Sequence, residues 1–366
     1  MITSDTRDYE NWLGTQLTLV PADIERKHAQ MTLGVFPFMR ATFYRWLRHW
    51  KQACTELEDA AVVLAVGDLH LENFGTWRDT EGRLVWGVND FDEAVELPWP
   101  QDLVRLATSA LLATKSDKLG IAPEVACSAI LEGYLSGVTD GGRSFVLAER
   151  HRWLRKIALG KLRDPALFWE KFDQIPTVEE AVPMDAAQAL QHLMPEPGIE
   201  TRVVHRVAGL GSLGRRRYVA LSNWRGGKLA REAKAIAPSA WYWSERIEAA
   251  GVQHCQTLLD SPTRAADPFV SVQGGFIVRR LAPDCARIEL KDLPTLRDEC
   301  RLLRAMGYET ANVHLGTDGT RAKLLADPRL QKSEWLLRAA KRTAKLVIQD
   351  FREFREAMAK GEMRVR

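Results

Sequence analysis

Gly67-Asp68-Leu69-His70-Leu71-Glu72-Asn73 follows the apolar run Ala60-Ala-Val-Val-Leu-Ala-Val66. The short run, its β-branched valines and the glycine that ends it predict a buried strand opening onto a loop. Loops after strands are where a rigid scaffold presents chemical groups. Asp68 and Asn73 stand five residues apart. A carboxylate can accept the proton of a hydroxyl, and an amide oxygen is a hard ligand suited to magnesium. His70 lies between them, placed to contact a phosphate. Alone, an aspartate beside a glycine is more often a turn or helix cap. The reading therefore depends on what else the chain carries.

Downstream, Asp79-Thr-Glu-Gly82 reads as a turn and Leu84-Val-Trp-Gly-Val88 as a second strand, making a hairpin that starts just after Asn73. The hairpin ends in Val88-Asn-Asp-Phe-Asp92. In protein kinases an Asp with an Asn five residues on forms the catalytic loop, and an Asp-Phe-Gly after a hairpin supplies the metal-binding carboxylate. Asp90 takes that place here. Asp92 replaces the usual glycine and adds a second carboxylate. Asn73, Asp90 and Asp92 are the candidate metal ligands, and Asp68 and His70 the candidate catalytic groups.

Gly209-Leu-Gly-Ser-Leu-Gly214 is a weak motif until its flanks are read. A helix would follow in a dinucleotide-binding unit. Here Arg215-Arg-Arg-Tyr-Val-Ala-Leu221 follows, and Arg202-Val-Val-His-Arg-Val207 precedes, both strand-like. Strand, glycine loop, strand is the kinase arrangement in which backbone amides cover phosphates. Gly209, Gly211, Ser212 and Gly214 are the loop candidates. Lys234 lies on the next predicted strand, Lys228 to Ile236, where it would pair the α- and β-phosphates. Glu245 or Glu248, on a following helix, would hold that lysine. Lys228 is a rival to Lys234 but sits at a turn.

The rest of the chain is read more coarsely. Helices are predicted from Pro21 to Met31, from Phe38 to Glu58, over most of Gln101 to Leu193, around Trp241 to Leu258, and from Lys332 to Met358. A further strand covers Phe276 to Leu281. The last helix is amphipathic and basic, a pattern that usually marks a solvated outer face. His205 and His314 read as structural. Across 366 residues, 51 basic and 48 acidic side chains leave a net charge of only +3, so nucleic acid is not an expected partner. Five scattered cysteines form no Cys-x-x-Cys pair, which excludes a zinc ribbon and fits reduced thiols. No leader-like apolar segment or membrane-length apolar run is present, so a cytoplasmic protein is expected.

Gly67-Asp-Leu-His-Leu-Glu-Asn73 resembles the Gly-Asp-x-His-x-x-Asn loop of aminoglycoside phosphotransferases and choline kinases, and Asp102-Leu-Val-Arg-Leu106 looks like their Asp-Leu-x-Arg-Leu motif. The resemblance implies that Asp102 braces the catalytic loop. The chain as a whole resembles the bacterial family called domain of unknown function 2252. The likeness runs through Phe38-Met-Arg-Ala41, Gly67 to Gly75, Asn89 to Ala94, Gly209 to Gly214 and Lys234-Ala-Ile-Ala-Pro-Ser239. Arg40 would be a second brace. Ala41 stands where that family has glycine, and Ala235 where it has glutamate. A rival register, Arg231-Glu232-Ala233, keeps the Glu-Ala but loses the lysine. Thr310-Ala-Asn-Val-His314 faintly echoes a later family segment.

An ordinary kinase runs glycine loop, lysine, catalytic loop, metal Asp. This chain begins with the last two. The expected fold is therefore α+β: a two-lobed, protein-kinase-like fold with circularly permuted motif order. Residues 1–197 would form a helical lobe carrying the catalytic loop, 198–282 a small β-rich lobe, and 283–366 helices completing the first lobe. The expected function is ATP- and Mg2+-dependent phosphotransfer to the hydroxyl of an unidentified acceptor. Helical segments such as Trp153 to Lys161 would shape the acceptor pocket. Three alternatives stand beside it: a catalytically silent nucleotide-binding regulator, an AMP-transferring enzyme, and a metal-dependent hydrolase using Asp68, His70, Asp90 and Asp92. The hydrolase leaves the glycine loop and Lys234 without a role.

Overall fold

The computed structural model of the chain describes residues 1–115, 119–148, 150–158, 164–249, 253–285, 298–332 and 334–363. It opens with four helices, α1 (Ile2–Gln16), α2 (Pro21–Met31), α3 (Val35–Ala41) and α4 (Phe43–Ala53). Pro21 at the first turn starts α2, where its missing N–H costs nothing. The single helix expected from Phe38 to Glu58 is instead two. The chain leaves helical geometry at Thr42 (φ −125°, ψ 44°), whose hydroxyl donates to the Phe38 carbonyl at 2.8 Å.

Next come β1 (Val62–Ala65), β2 (Phe74–Arg78), β3 (Leu84–Val88) and β4 (Val95–Pro98). The predicted hairpin is β2–β3, with Phe74 opposite Val88. Strand β1 pairs antiparallel with β4, which the sequence reading left unassigned. These two pairings place the loop after β1 beside the loop after β3, so residues 68–73 and 89–93 meet. Helices α5 (Pro100–Lys115) and α6 (Pro123–Asp140) follow, then the short β5 (Phe145–Val146), paired with β3, and α7 (Arg152–Ala158).

Helices α8 (Pro165–Asp173) and α9 (Met184–His192) lead into β6 (Arg202–His205), β7 (Arg217–Trp224), β8 (Gly227–Ala235), α10 (Ala240–Glu245), α11 (Gln253–Leu259), β9 (Val270–Gln273) and β10 (Phe276–Leu281). The strands form one antiparallel sheet in the order β6-β7-β8-β10-β9. Among the described residues two helices, not the one expected, stand between β8 and β9. On one face of the sheet, Ala186, Ala189 and Leu190 of α9 pack on Ala220, Ala233, Phe276 and Val278. On the other, Phe172 of α8 packs on Val204, Val219 and Ala230. The sheet is thus covered by helices that precede residue 198.

The chain closes with α12 (Glu299–His314), α13 (Thr320–Leu325) and α14 (Glu334–Ala359). Helix α14 turns Leu336, Ala340, Ala344, Val347, Phe351 and Phe354 into the main core, at helical spacing, and leaves basic side chains outside. Helices α6 and α12 touch backbone to backbone. A Cβ on Gly133 would stand 1.9 Å from the Arg304 carbonyl oxygen, and one on Gly307 1.9 Å from that of Ile130. Only glycine permits that approach, and it seats the end of α12 under the loop after β1.

The architecture is mixed α+β with several sheets. Among the described residues no helix is long and apolar enough to cross a membrane.

Candidate active site

The loop after β1 is built from below. Asp102, fully buried in the first turn of α5, accepts the backbone N–H of Val66 at 2.7 Å and of Gly67 at 2.9 Å. His314, at the end of α12, presents Nε2 3.0 Å from the same carboxylate, and its Nδ1 lies 2.8 Å from the Tyr134 hydroxyl. The carboxylate therefore fixes the direction in which the chain leaves β1. His314 orients it.

Gly67 has φ +80°, and a Cβ there would stand 2.3 Å from the Glu93 carbonyl oxygen. The two loops are in contact at this point. Beyond it, Asn73 Nδ2 donates to the Asp68 carbonyl at 2.6 Å, closing the loop on itself. That bond uses the amide's donor, so its oxygen remains a candidate ligand. His70 Nδ1 accepts the Glu72 N–H at 3.1 Å, which places the ring proton of a neutral His70 on Nε2. Glu72 forms an ion pair with Arg40 of α3. Arg40 thus sits against the loop, where the resemblance placed a brace.

Asp68 has a partner that its motif alone does not declare. Arg105, fully buried, donates from Nε to Asp68 Oδ1 at 2.7 Å and from Nη2 to the same oxygen, and its Nη2 also reaches the Met39 carbonyl. The guanidinium lies over the rings of Phe43 and Trp46. Burial pushes the Asp68 carboxyl up to about 7; Arg105 pulls the other way, and the charges of Glu93 and Asp90 add to the rise. A group poised there can accept a proton near neutral pH.

The third wall comes from the five-stranded sheet. Lys234, on central strand β8 and 1% exposed, donates to Asp92 Oδ1 at 2.6 Å and stands 3.4 Å from Asp90 Oδ1. Arg215, just after the glycine loop, reaches Asp92 at 3.4 Å and Glu93 at 3.2 Å. Glu93 also accepts the Ala240 N–H at 2.7 Å, at the start of α10. Burial raises its pKa, with Arg215 opposing. The glycine loop lies between β6 and β7 as expected. Ser212 Oγ accepts from Arg217 at 2.7 Å, and Arg217 pairs with the buried Glu232, which also takes Arg206 at 2.5 Å. Glu232, from the rival register, therefore anchors the loop, while Lys234 faces the carboxylates.

Asp68, His70, Asn73, Asp90, Asp92, Gly209, Gly211 and Ser212 line a single cleft with Lys27, Arg40 and Arg215. Lys234 borders it through Asp90 and Asp92, and Gly214 closes the loop behind it. The cleft is tight. A Cβ on Gly211 would stand 3.0 Å from the Arg40 carbonyl oxygen and 3.5 Å from Asp68 Oδ2. Its cavity volume is about 40 Å3, room for an ion or a water.

Glu245 does not join. It ends α10, and its carboxylate pairs with Lys51 at 2.6 Å, on the outside. Glu248 is exposed, and Lys228 pairs with Asp173. Among the described residues, then, the partners of Lys234 are the aspartates themselves. Trp153 belongs to α7, but residues 159–161 of the expected acceptor segment lie outside the described residues.

Sequence reading gave no role to Arg105, Lys27, Arg215 or Glu93. Arg105 had a signal, since it stands three residues after Asp102 on the same helical face. Lys27 had none. It is a lysine on an early amphipathic helix, indistinguishable by spacing from a solvated one.

Hard oxygen donors from Asn73, Asp90 and Asp92 suit a magnesium ion that keeps waters and takes phosphate oxygens for the rest. No cluster of three or more His, Cys, Asp or Glu side chains arranged for a metal occurs among the described residues.

The chain matches the model of a family described as "Uncharacterized protein conserved in bacteria (DUF2252)" over residues 19–163 and 200–357. It belongs to that bacterial family. The matched stretches contain every cleft residue named above, and the gap between them holds α8 and α9. Curated proteins and solved structures give no match to this chain.

Proposed function

We propose that the chain is an ATP- and Mg2+-dependent phosphotransferase with a kinase-like site in permuted order, acting on the hydroxyl of a small molecule or a protein. The observation that carries the reading is the meeting of Lys234 with Asp90 and Asp92 beside Asp68 and Asn73. These groups come from distant parts of the chain, and phosphoryl transfer uses each of them.

In this reading Asn73 and Asp90 hold the metal, with Asp92 completing the acidic wall. Magnesium would neutralise charge on the phosphate oxygens. Lys234 and the amides of Gly209, Gly211, Ser212 and Gly214 hold the phosphates. Asp68 Oδ2 accepts the acceptor's proton while Arg105 fixes Oδ1. His70 Nε2–H donates to a phosphoryl oxygen. A nucleotide is far larger than the cleft, so its entry requires the glycine loop to rise from Asp68.

A second reading, a nucleotide-binding regulator without turnover, draws on the Arg105 ion pair, which occupies one oxygen of the proposed base. AMP transfer uses the same nucleotide site with the opposite phosphate reacting. Incubation with cell metabolites and proteins, using ATP labelled at the γ or the α position, separates the three. Label from γ alone is expected, with Asp68→Asn lowering it at least ~100-fold. Label from α alone, or equal near-zero rates in both proteins, overturns the phosphotransferase reading.

A further inference from the structure

Lys27 of α2 is 2% exposed and lines the same cleft. An ammonium has three donors and no acceptor. Lys27 spends one of them on the Gly211 carbonyl at 3.3 Å, its one hydrogen bond among the described residues. No carboxylate forms an ion pair with it among those residues, whereas Arg40, Arg105, Arg215 and Lys234 each have one. A buried cation held by a single carbonyl is costly unless an anion joins it. Burial accordingly lowers its pKa, partly offset by the fields of Glu10, Glu93 and Asp68.

Its position says which anion. Gly211 lies between Lys27 and Asp68: its carbonyl takes Lys27, and its Cβ position faces Asp68 Oδ2. If the glycine loop holds a nucleotide, the group beside both Gly211 and Asp68 is the terminal phosphoryl. Lys234 stands on the Asp90–Asp92 side and serves the inner phosphates.

We propose that Lys27 is a nucleotide-binding residue specific for the γ-phosphate, and that without nucleotide it rests on the Gly211 carbonyl. The proposal rests on the phosphotransferase reading. It adds a cation, from a helix ahead of the catalytic loop, that distinguishes triphosphate from diphosphate.

Calorimetric titration of the wild type, Lys27→Met and Lys27→Arg with Mg-ATP and with Mg-ADP tests it. Lys27→Met is expected to weaken ATP roughly tenfold or more, the size of a lost charge-assisted contact. It should leave ADP within about twofold, and Lys27→Arg should recover part of the ATP affinity. Unchanged ADP binding also certifies that the variant is folded. Equal losses for ATP and ADP, or no loss for either, overturn the γ-phosphate role while the nucleotide site stands. A wild type that binds neither nucleotide overturns both.

Discussion

Lys234 and Asp92 join the two halves of the site: Nζ lies 2.6 Å from Oδ1, between the centre of the five-stranded sheet and the loop after β3. The ammonium is 1% exposed and also faces Asp90. A contact of this kind is worth more when broken than its net contribution when whole, because the surviving charges are left buried. Lys234→Met is therefore expected to cost about 3 kcal/mol or more in urea denaturation. Adding Asp92→Asn should recover part of the loss. Strictly additive effects would mean the two side chains do not interact.

Asp68 sets a pH dependence. Its folded carboxyl is pushed up to about 7 from an ordinary value of 3.8. Between those values the folded state holds a proton that the unfolded state releases, so stability falls as pH rises from about 4 to about 7. The slope from one such group is at most about 1.4 kcal/mol per pH unit. Glu309, also raised to about 7, adds a similar slope. Asp68→Asn should remove the first contribution and leave the second. Identical pH–stability curves for the two proteins would show that Asp68 ionises normally.

Asp102 holds the loop after β1 through two backbone N–H groups and is itself held by His314. Asp102→Ala leaves three donors without their acceptor in a fully buried place, a loss on the order of 3 kcal/mol. Denaturation should show that loss. The variant should also lose turnover more than nucleotide affinity, since the sheet side of the cleft is untouched. Full stability would remove the brace.

How far the sequence exposed this arrangement varies from group to group. Strand β3 was legible end to end, because an apolar run lies between a turn and Asn89-Asp90. So was α2, opened by Pro21. The break at Thr42 was not, since threonine is no strong helix breaker and tertiary packing decides the bend. Strand β4, Val95–Pro98, carries a proline and a glutamate and owes its state to pairing with β1. In the site, the spaced motifs of Asp68, Asn73, Asp90 and the glycines were visible. Lys27 and Arg215 were not, because they become distinctive only through burial, and Arg105 stood in its motif without showing that it pairs with Asp68. Glu245 misled for the reverse reason: a helical glutamate after the lysine looks suitable until its outward face is known.

Gly67 is a point of contact between two loops, so a side chain there should be poorly tolerated. Gly67→Ala would place a methyl group 2.3 Å from the Glu93 carbonyl oxygen at a φ of +80°. A loss of about 2 kcal/mol or more is expected, read as a lower Tm in calorimetric melting. An unchanged Tm would mean that the loops do not pack as described.

Calorimetric titration of the full chain with ATP, with and without Mg2+, bears most directly on the nucleotide site. Saturable one-to-one binding that requires Mg2+ and is abolished in Asp90→Asn is the expected result. No heat of binding in wild-type protein, confirmed by an unshifted Tm at millimolar Mg-ATP, would contradict the assignment of this cleft to a nucleotide.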